Sequence, residues 1–141
     1  MLNYLWPILL VITANTVYHL CAKSMPNGVQ PFAALVITYS IAAISSLILF
    51  FITSENKSLA TELQKVNWLS YLFGLAIVGL ELGYLYVYKV GWKISTGSLV
   101  ANISLACVLL VAGVILYKET ISARQLLGLI LCLAGIFFVT K

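Results

Sequence analysis

Charge is what this sequence has least of. Of its 141 residues only 8 are Lys or Arg and 4 are Asp or Glu, so charged side chains make up 9% of the chain against 62% hydrophobic. A soluble domain carries about 25% charged residues because its surface must face water. That coat is missing here, and a mean hydropathy of +1.07 leaves lipid as the natural solvent. One histidine, four carboxylates and three cysteines offer no metal-ligand set, carboxylate cluster or nucleophile–base pair, and no glycine loop is built to cradle a phosphate. No enzymatic chemistry, metal or cofactor is therefore expected. The net charge of +4 is dispersed, with no basic cluster longer than a pair and no aromatics interleaved on a polar face. That excludes a nucleic-acid footprint and leaves lysines beside lipid headgroups. Cys21, Cys107 and Cys132 each fall inside an apolar run and read as small packing residues.

What is present is a series of long apolar runs. A bilayer core about 30 Å thick needs roughly 20 apolar residues in a helix. Five segments meet that length, at about 4–23, 32–53, 68–88, 98–117 and 121–139. Together they predict an all-α membrane protein, a single five-helix transmembrane domain over 1–141. The runs are continuous, not alternating as in an outer-membrane barrel, and lipid leaves an open sheet unsatisfied. Met25-Pro26-Asn27-Gly28 ends the first span and Pro31 suits the first turn of the second. Between the second and third, 54–67 is polar, but Leu59, Leu63 and Val66 recur at helical spacing, as in a short helix lying on the membrane surface. Trp68, Tyr71, Tyr88 and Trp92 bracket the third span as interfacial aromatics do. Lys89 to Gly97 is expected to be a tight connection. The first span has no basic segment before it and no small-residue cleavage site after it, so it reads as a retained helix, not a leader.

Five spans put the two ends of the chain on opposite sides. Lys57, Lys65, Lys118 and Arg124 fall on the side of the N-terminus; Lys23, Lys89, Lys93 and Lys141 fall on the other. Orientation follows an excess of Lys and Arg on the cytoplasmic side. A balanced set gives no preference, which means either that a boundary lysine sits on the other side or that copies insert both ways.

The stretch 117–139, YKETISARQLLGLILCLAGIFFV, resembles the G-E-x-x-[ST]-x-x-Q-x-x-G…G-(I/V) ending of EamA-like repeats in the drug/metabolite transporter superfamily. Glu119, Gln125, Gly128 and Gly135 stand where that pattern expects them, and Lys118 replaces the usual glycine. Gly83-Tyr84, Tyr88, Ser95, Gly97, Ser98 and Ala101 resemble the passage from third to fourth helix of the same repeat. The resemblance covers all five spans. It implies a multi-pass protein of the bacterial cytoplasmic (inner) membrane that carries a small-molecule substrate. Many members join two such repeats, inverted because each has an odd number of helices. One repeat builds the same site by pairing with a second copy in the opposite orientation, so an antiparallel homodimer in contact with membrane lipid is expected. The related four-helix small multidrug resistance proteins have an essential carboxylate eight residues before a lysine in their first helix. If Lys23 is that lysine, Asn15 occupies the carboxylate position, and that proton-coupled mechanism is not expected here.

The strongest single signal is Glu81, in the middle of the third span. A charge at the bilayer centre costs at least about 2.5–3.5 kcal/mol on insertion scales, so an intramembrane carboxylate is a functional candidate. Gly74, Ile77, Val78, Glu81, Tyr84, Leu85 and Tyr88 share its face. That face can line a site for a cationic or hydroxylated ligand, or Glu81 can be an acid hydrogen-bonded to a neighbouring helix. In the first span Asn15, Tyr18, His19 and Ala22 share a face, and His19 can relay protons, pair with Glu81, or serve only as an interfacial hydrogen-bonder. In the fourth, Ser98, Asn102, Ala106 and Gly113 form a polar-to-small stripe; Asn102 suits a substrate oxygen or helix packing equally. Gly128, Cys132 and Gly135 make a small-residue seam on the fifth, read as a contact for another helix or subunit.

Three functions compete on these grounds. The first is a secondary transporter of small metabolites or organic cations, with Glu81, Tyr84, Tyr88, Asn15, Tyr18, His19 and Asn102 around substrate and Glu81 and His19 coupling protons. The second is a lipid-linked sugar (undecaprenyl-phosphate carrier) flippase subunit, and the third a non-transporting scaffold subunit. Dual topology has a direct test: a tag at either terminus should be labelled from outside whole cells. Labelling confined to one terminus would rule out two orientations.

Overall fold

The structure, a computed structural model, describes residues 2–55 and 57–140, the side chains of residues 2 and 3 excepted. It contains six helices in chain order: α1 (Leu2–Ser24), α2 (Pro31–Thr53), α3 (Leu59–Leu63), α4 (Trp68–Lys89), α5 (Ile94–Tyr117) and α6 (Ala123–Thr140). All but α3 are long and apolar enough to cross a membrane, and no strand occurs among the described residues. Lys141, one of the lysines weighed for orientation, lies outside them.

The helix ends follow from local chemistry. The Gln30 side chain accepts from the Ala33 N–H at 2.8 Å and Pro31 opens α2, so a free amide is served and one that would be free is absent. Asn67 does the same for α4, its Oδ1 accepting from the Leu69 N–H at 3.1 Å. At the start of α6, Ser122 and Gln125 form a reciprocal capping box. The Ser122 N–H donates to Gln125 Oε1 at 2.8 Å, and the Gln125 N–H to Ser122 Oγ at 3.3 Å. The [ST]-x-x-Q part of the terminal motif is thus a helix start.

Side-chain hydroxyls within the spans turn back on their own helices. Thr13, Thr16, Thr38, Ser40, Ser46, Thr53, Ser98 and Thr140 donate to the carbonyl four residues earlier, at 2.6–3.1 Å. In hydrocarbon no water accepts these protons, and the preceding turn is the nearest acceptor. Apolar side chains cover the outside of every span, from Leu9 and Val11 to Ile115 and Phe138.

The chain divides into two compact units. In Ser24–Lys89, α2 packs on α4, and α3 lies between them in sequence with a Lys65–Glu62 ion pair of 2.6 Å on its exposed side. In Met1–Lys23 with Val90–Lys141, α5 packs on α6, and the Lys23 ammonium at the end of α1 donates to the Trp92 carbonyl at 3.0 Å. The fourth span starts at Ile94, four residues before the expected 98, so the connection ahead of it is shorter than its glycines suggested. Lys93 caps that helix, its carbonyl accepting from the Gly97 N–H at 2.8 Å, and Gly97 is buried inside the first turn instead of breaking it.

The turn from α5 to α6 explains the departure at Lys118. This residue is left-handed (φ 55°, ψ 34°), the conformation in which a helix-ending glycine is free of strain. The Lys118 and Glu119 N–H groups both bond the Gly113 carbonyl. The Glu119 carboxyl then folds over Gly113, where a Cβ would meet Oε2 at 2.5 Å. Lys118→Gly should relieve the strained backbone and raise stability by about 1 kcal/mol. Unfolding in detergent checks this, and a loss of stability would mean that the lysine side chain outweighs its backbone strain.

Candidate functional site

Charged groups avoid the interior of the spans with one exception among the described residues. Lys23 and Lys89 stand in the last turns of α1 and α4, Arg124 in the first turn of α6, and the other charges in connecting segments. Glu81 lies eight residues from the end of α4, about 12 Å along its axis at the helical rise.

The face expected to carry it is the shielded face. Ile77, Val78, Glu81, Leu82, Tyr84, Leu85 and Val87 are half-buried and Tyr88 is buried, whereas Leu75, Ala76, Gly79, Leu80, Gly83 and Tyr86 are exposed. Gly74, placed on the same face from the sequence, is exposed: it lies toward the start of α4, a turn below the shielded stretch. The Tyr84 and Tyr88 rings stack one turn apart, centroids 6.3 Å and planes 23° from parallel.

Sequence reasoning missed one member of this group. Tyr39 of α2 is electrostatically coupled to Glu81, and its hydroxyl oxygen is shielded from solvent without a hydrogen bond of standard geometry. Tyr39 lies eight residues from the start of α2, as Glu81 lies eight from the end of α4. Antiparallel packing of these two helices therefore brings both to one depth. Ala34 and Leu35 are buried at the start of α2, which packs on α4. Tyr39 follows Leu35 by four residues, on the same face. The signal was available: a tyrosine on the buried stripe of an otherwise apolar span has a hydroxyl that needs a partner.

The arrangement is a single carboxyl with a hydroxyl beside it and two stacked phenol rings on its own helix. A carboxylate attracts cations, and tyrosine faces add to that attraction through their quadrupoles. Hydroxylated ligands find donors and acceptors in the same groups. No cluster of three His, Cys, Asp or Glu residues suited to a metal occurs among the described residues.

In the other unit, Tyr18, His19 and Ala22 share the shielded face of α1, with His19 only 8% exposed and its ring edge-on to Tyr18 at 5.2 Å. Asn15, one turn earlier, is exposed. The Asn102 amide donates to the Ser98 carbonyl at 2.8 Å on its own helix, so that proton already serves the backbone. Gly128 and Cys132 are exposed and Gly135 half-buried; a Cβ built on either glycine meets nothing within 4 Å. The seam is open on this chain.

Residues 2–141 match the sequence profile described as the EamA-like transporter family. No curated protein and no solved structure matches the chain.

Proposed function

The chain belongs to the EamA-like transporter family, and we propose that it is a secondary transporter of small metabolites or organic cations, working by alternating access. It is a multi-pass membrane protein of the drug/metabolite transporter type, a family of transporters and not of enzymes. The observation that carries the finer reading is Glu81, the one charge set within a span among the described residues, beside Tyr39 and on one face with Tyr84 and Tyr88. An ionised carboxylate alone at that depth is costly. It is therefore held by a proton or by a cation. Two ligands that exclude each other from one group couple the movement of one to the gradient of the other.

His19, shielded beside Tyr18 on α1, is the second titratable group in this reading, and Asn15 and Asn102 are the amides proposed to meet substrate. Two copies in opposite orientations, in the bacterial inner membrane, complete the transporter as an antiparallel homodimer. The balance of Lys and Arg supports this, as does a seam at Gly128, Cys132 and Gly135 that the chain leaves open.

Two measurements test the reading. Glu81→Gln keeps the shape and much of the hydrogen bonding but removes the titration. It should fold and assemble normally yet lose the pH dependence of organic-cation uptake in proteoliposomes, so full uptake with unaltered pH dependence would return Glu81 to a structural role. A Cβ at Gly128 or Gly135 meets nothing within 4 Å, and Gly128→Leu and Gly135→Leu should lower the dimer recovered from detergent while helix content by circular dichroism stays unchanged. Unchanged recovery in both variants would mean that the seam faces lipid.

A further inference from the structure

We infer that Tyr39 is the positioning residue of the Glu81 carboxyl, donating its hydroxyl proton to the ionised form and so setting how readily the group gives up its own proton. The inference rests on the coupling role proposed for Glu81. Three observations on α2 and α4 carry it. The Tyr39 hydroxyl oxygen is shielded from solvent, and the group it interacts with is Glu81. The two helices pack, and both residues lie at one depth. Finally, α2 offers Glu81 no other titratable or charged group, because Pro31–Thr53 contains Tyr39 and otherwise only apolar, serine and threonine side chains. On its own helix Glu81 is joined by Tyr84 and Tyr88 on the shielded face, while Tyr71 and Tyr86 lie on the exposed face and Lys89 is the last residue.

The chemistry is asymmetric in a useful way. A phenol hydroxyl has one proton to donate and lone pairs to accept with. Toward a carboxylate it must donate, making a charge-assisted bond roughly twice as strong as a neutral one. Toward the neutral acid the roles reverse, the Glu81 proton is donated to Tyr39, and the bond is an ordinary one. The pair thus stays joined in both states but favours the ionised one. Tyr39 neither supplies nor removes a proton overall; it shifts the balance between the proton and a cation at the carboxyl. Its single bond also leaves carboxylate lone pairs for that cation.

The test reads the proton directly and needs no knowledge of the substrate. In full-length protein in liposomes, the infrared carbonyl band of protonated Glu81 is identified by its loss in Glu81→Gln and followed against pH. Tyr39→Phe deletes the donor and should move the midpoint of that titration alkaline by about one pH unit, as expected for losing one hydrogen bond to a charge. Difluorotyrosine at position 39 is the stronger donor and keeps the ring's size, so it should move the midpoint the other way even if Tyr39→Phe folds poorly. Tyr86→Phe, on the exposed face of the same helix, is the control for a general effect of losing a hydroxyl and should leave the midpoint where it is. A midpoint unmoved by both changes at position 39 would overturn the inference while leaving the coupling role of Glu81 standing. A wild-type protein with no band that Glu81→Gln removes would overturn the coupling role itself, and the inference with it.

Discussion

Lipid provides no hydrogen-bond partner, and most of the local structure answers that one constraint. The backbone resolves it by forming helices, in which each N–H finds a carbonyl in the same segment. The hydroxyls resolve it by bonding one turn back, as Thr38 does to Ala34 and Ser98 to Ile94. Helix ends, where the ladder runs out, are served by Gln30, Asn67 and the Ser122–Gln125 pair. Each solution is local. Glu81 is different because a carboxyl in mid-helix finds no free N–H donor within its own turn, each being bonded along the helix. It must look across to another helix, and Tyr39 is what it meets on α2.

That distinction between local and cross-helix solutions also separates what was legible in the sequence from what was not. Span lengths, the short α3 and the shielded face of α4 all follow from composition and the 3.6-residue period, and the sequence shows them directly. The early start of α5 was hidden because Gly97 and Ser98 look like a turn, and only the Lys93 cap reveals them as a first helical turn. The pairing of Tyr39 was hidden for a deeper reason. The sequence marks Tyr39 as a lone phenol in an apolar span that needs a partner, but not which residue of α4 sits level with it until the α2–α4 register is known. Asn102 shows a detail the sequence does not, since its amide gives one proton to its own backbone and keeps the other and its oxygen.

The terminal motif also changes meaning once its geometry is known. Its [ST]-x-x-Q element starts α6 through the Ser122–Gln125 box, and its glycine position, filled here by Lys118, is a left-handed helix end. Glu119 then lies over Gly113. These are instructions for turning a helical hairpin around at the membrane surface. A motif of that kind identifies the family well and says nothing of cargo, because none of its backbone tasks depends on what is carried.

The depth of the Tyr39–Glu81 pair has an electrical consequence. Eight residues from one end of α4 and thirteen from the other place the carboxyl about 12 Å below one rim and about 20 Å below the opposite one. In a field that falls evenly across the hydrocarbon, a proton arriving from the nearer rim crosses roughly two-fifths of the membrane potential, worth about 1 kcal/mol per 100 mV. One arriving from the farther rim crosses the rest. In two chains inserted in opposite senses these fractions are complementary, so the potential pulls a proton toward one carboxyl from the same side on which the other is the more remote. Under the proposed antiparallel pairing and proton coupling, such a pair would respond to voltage as a whole even though neither half sits at the midpoint of the field.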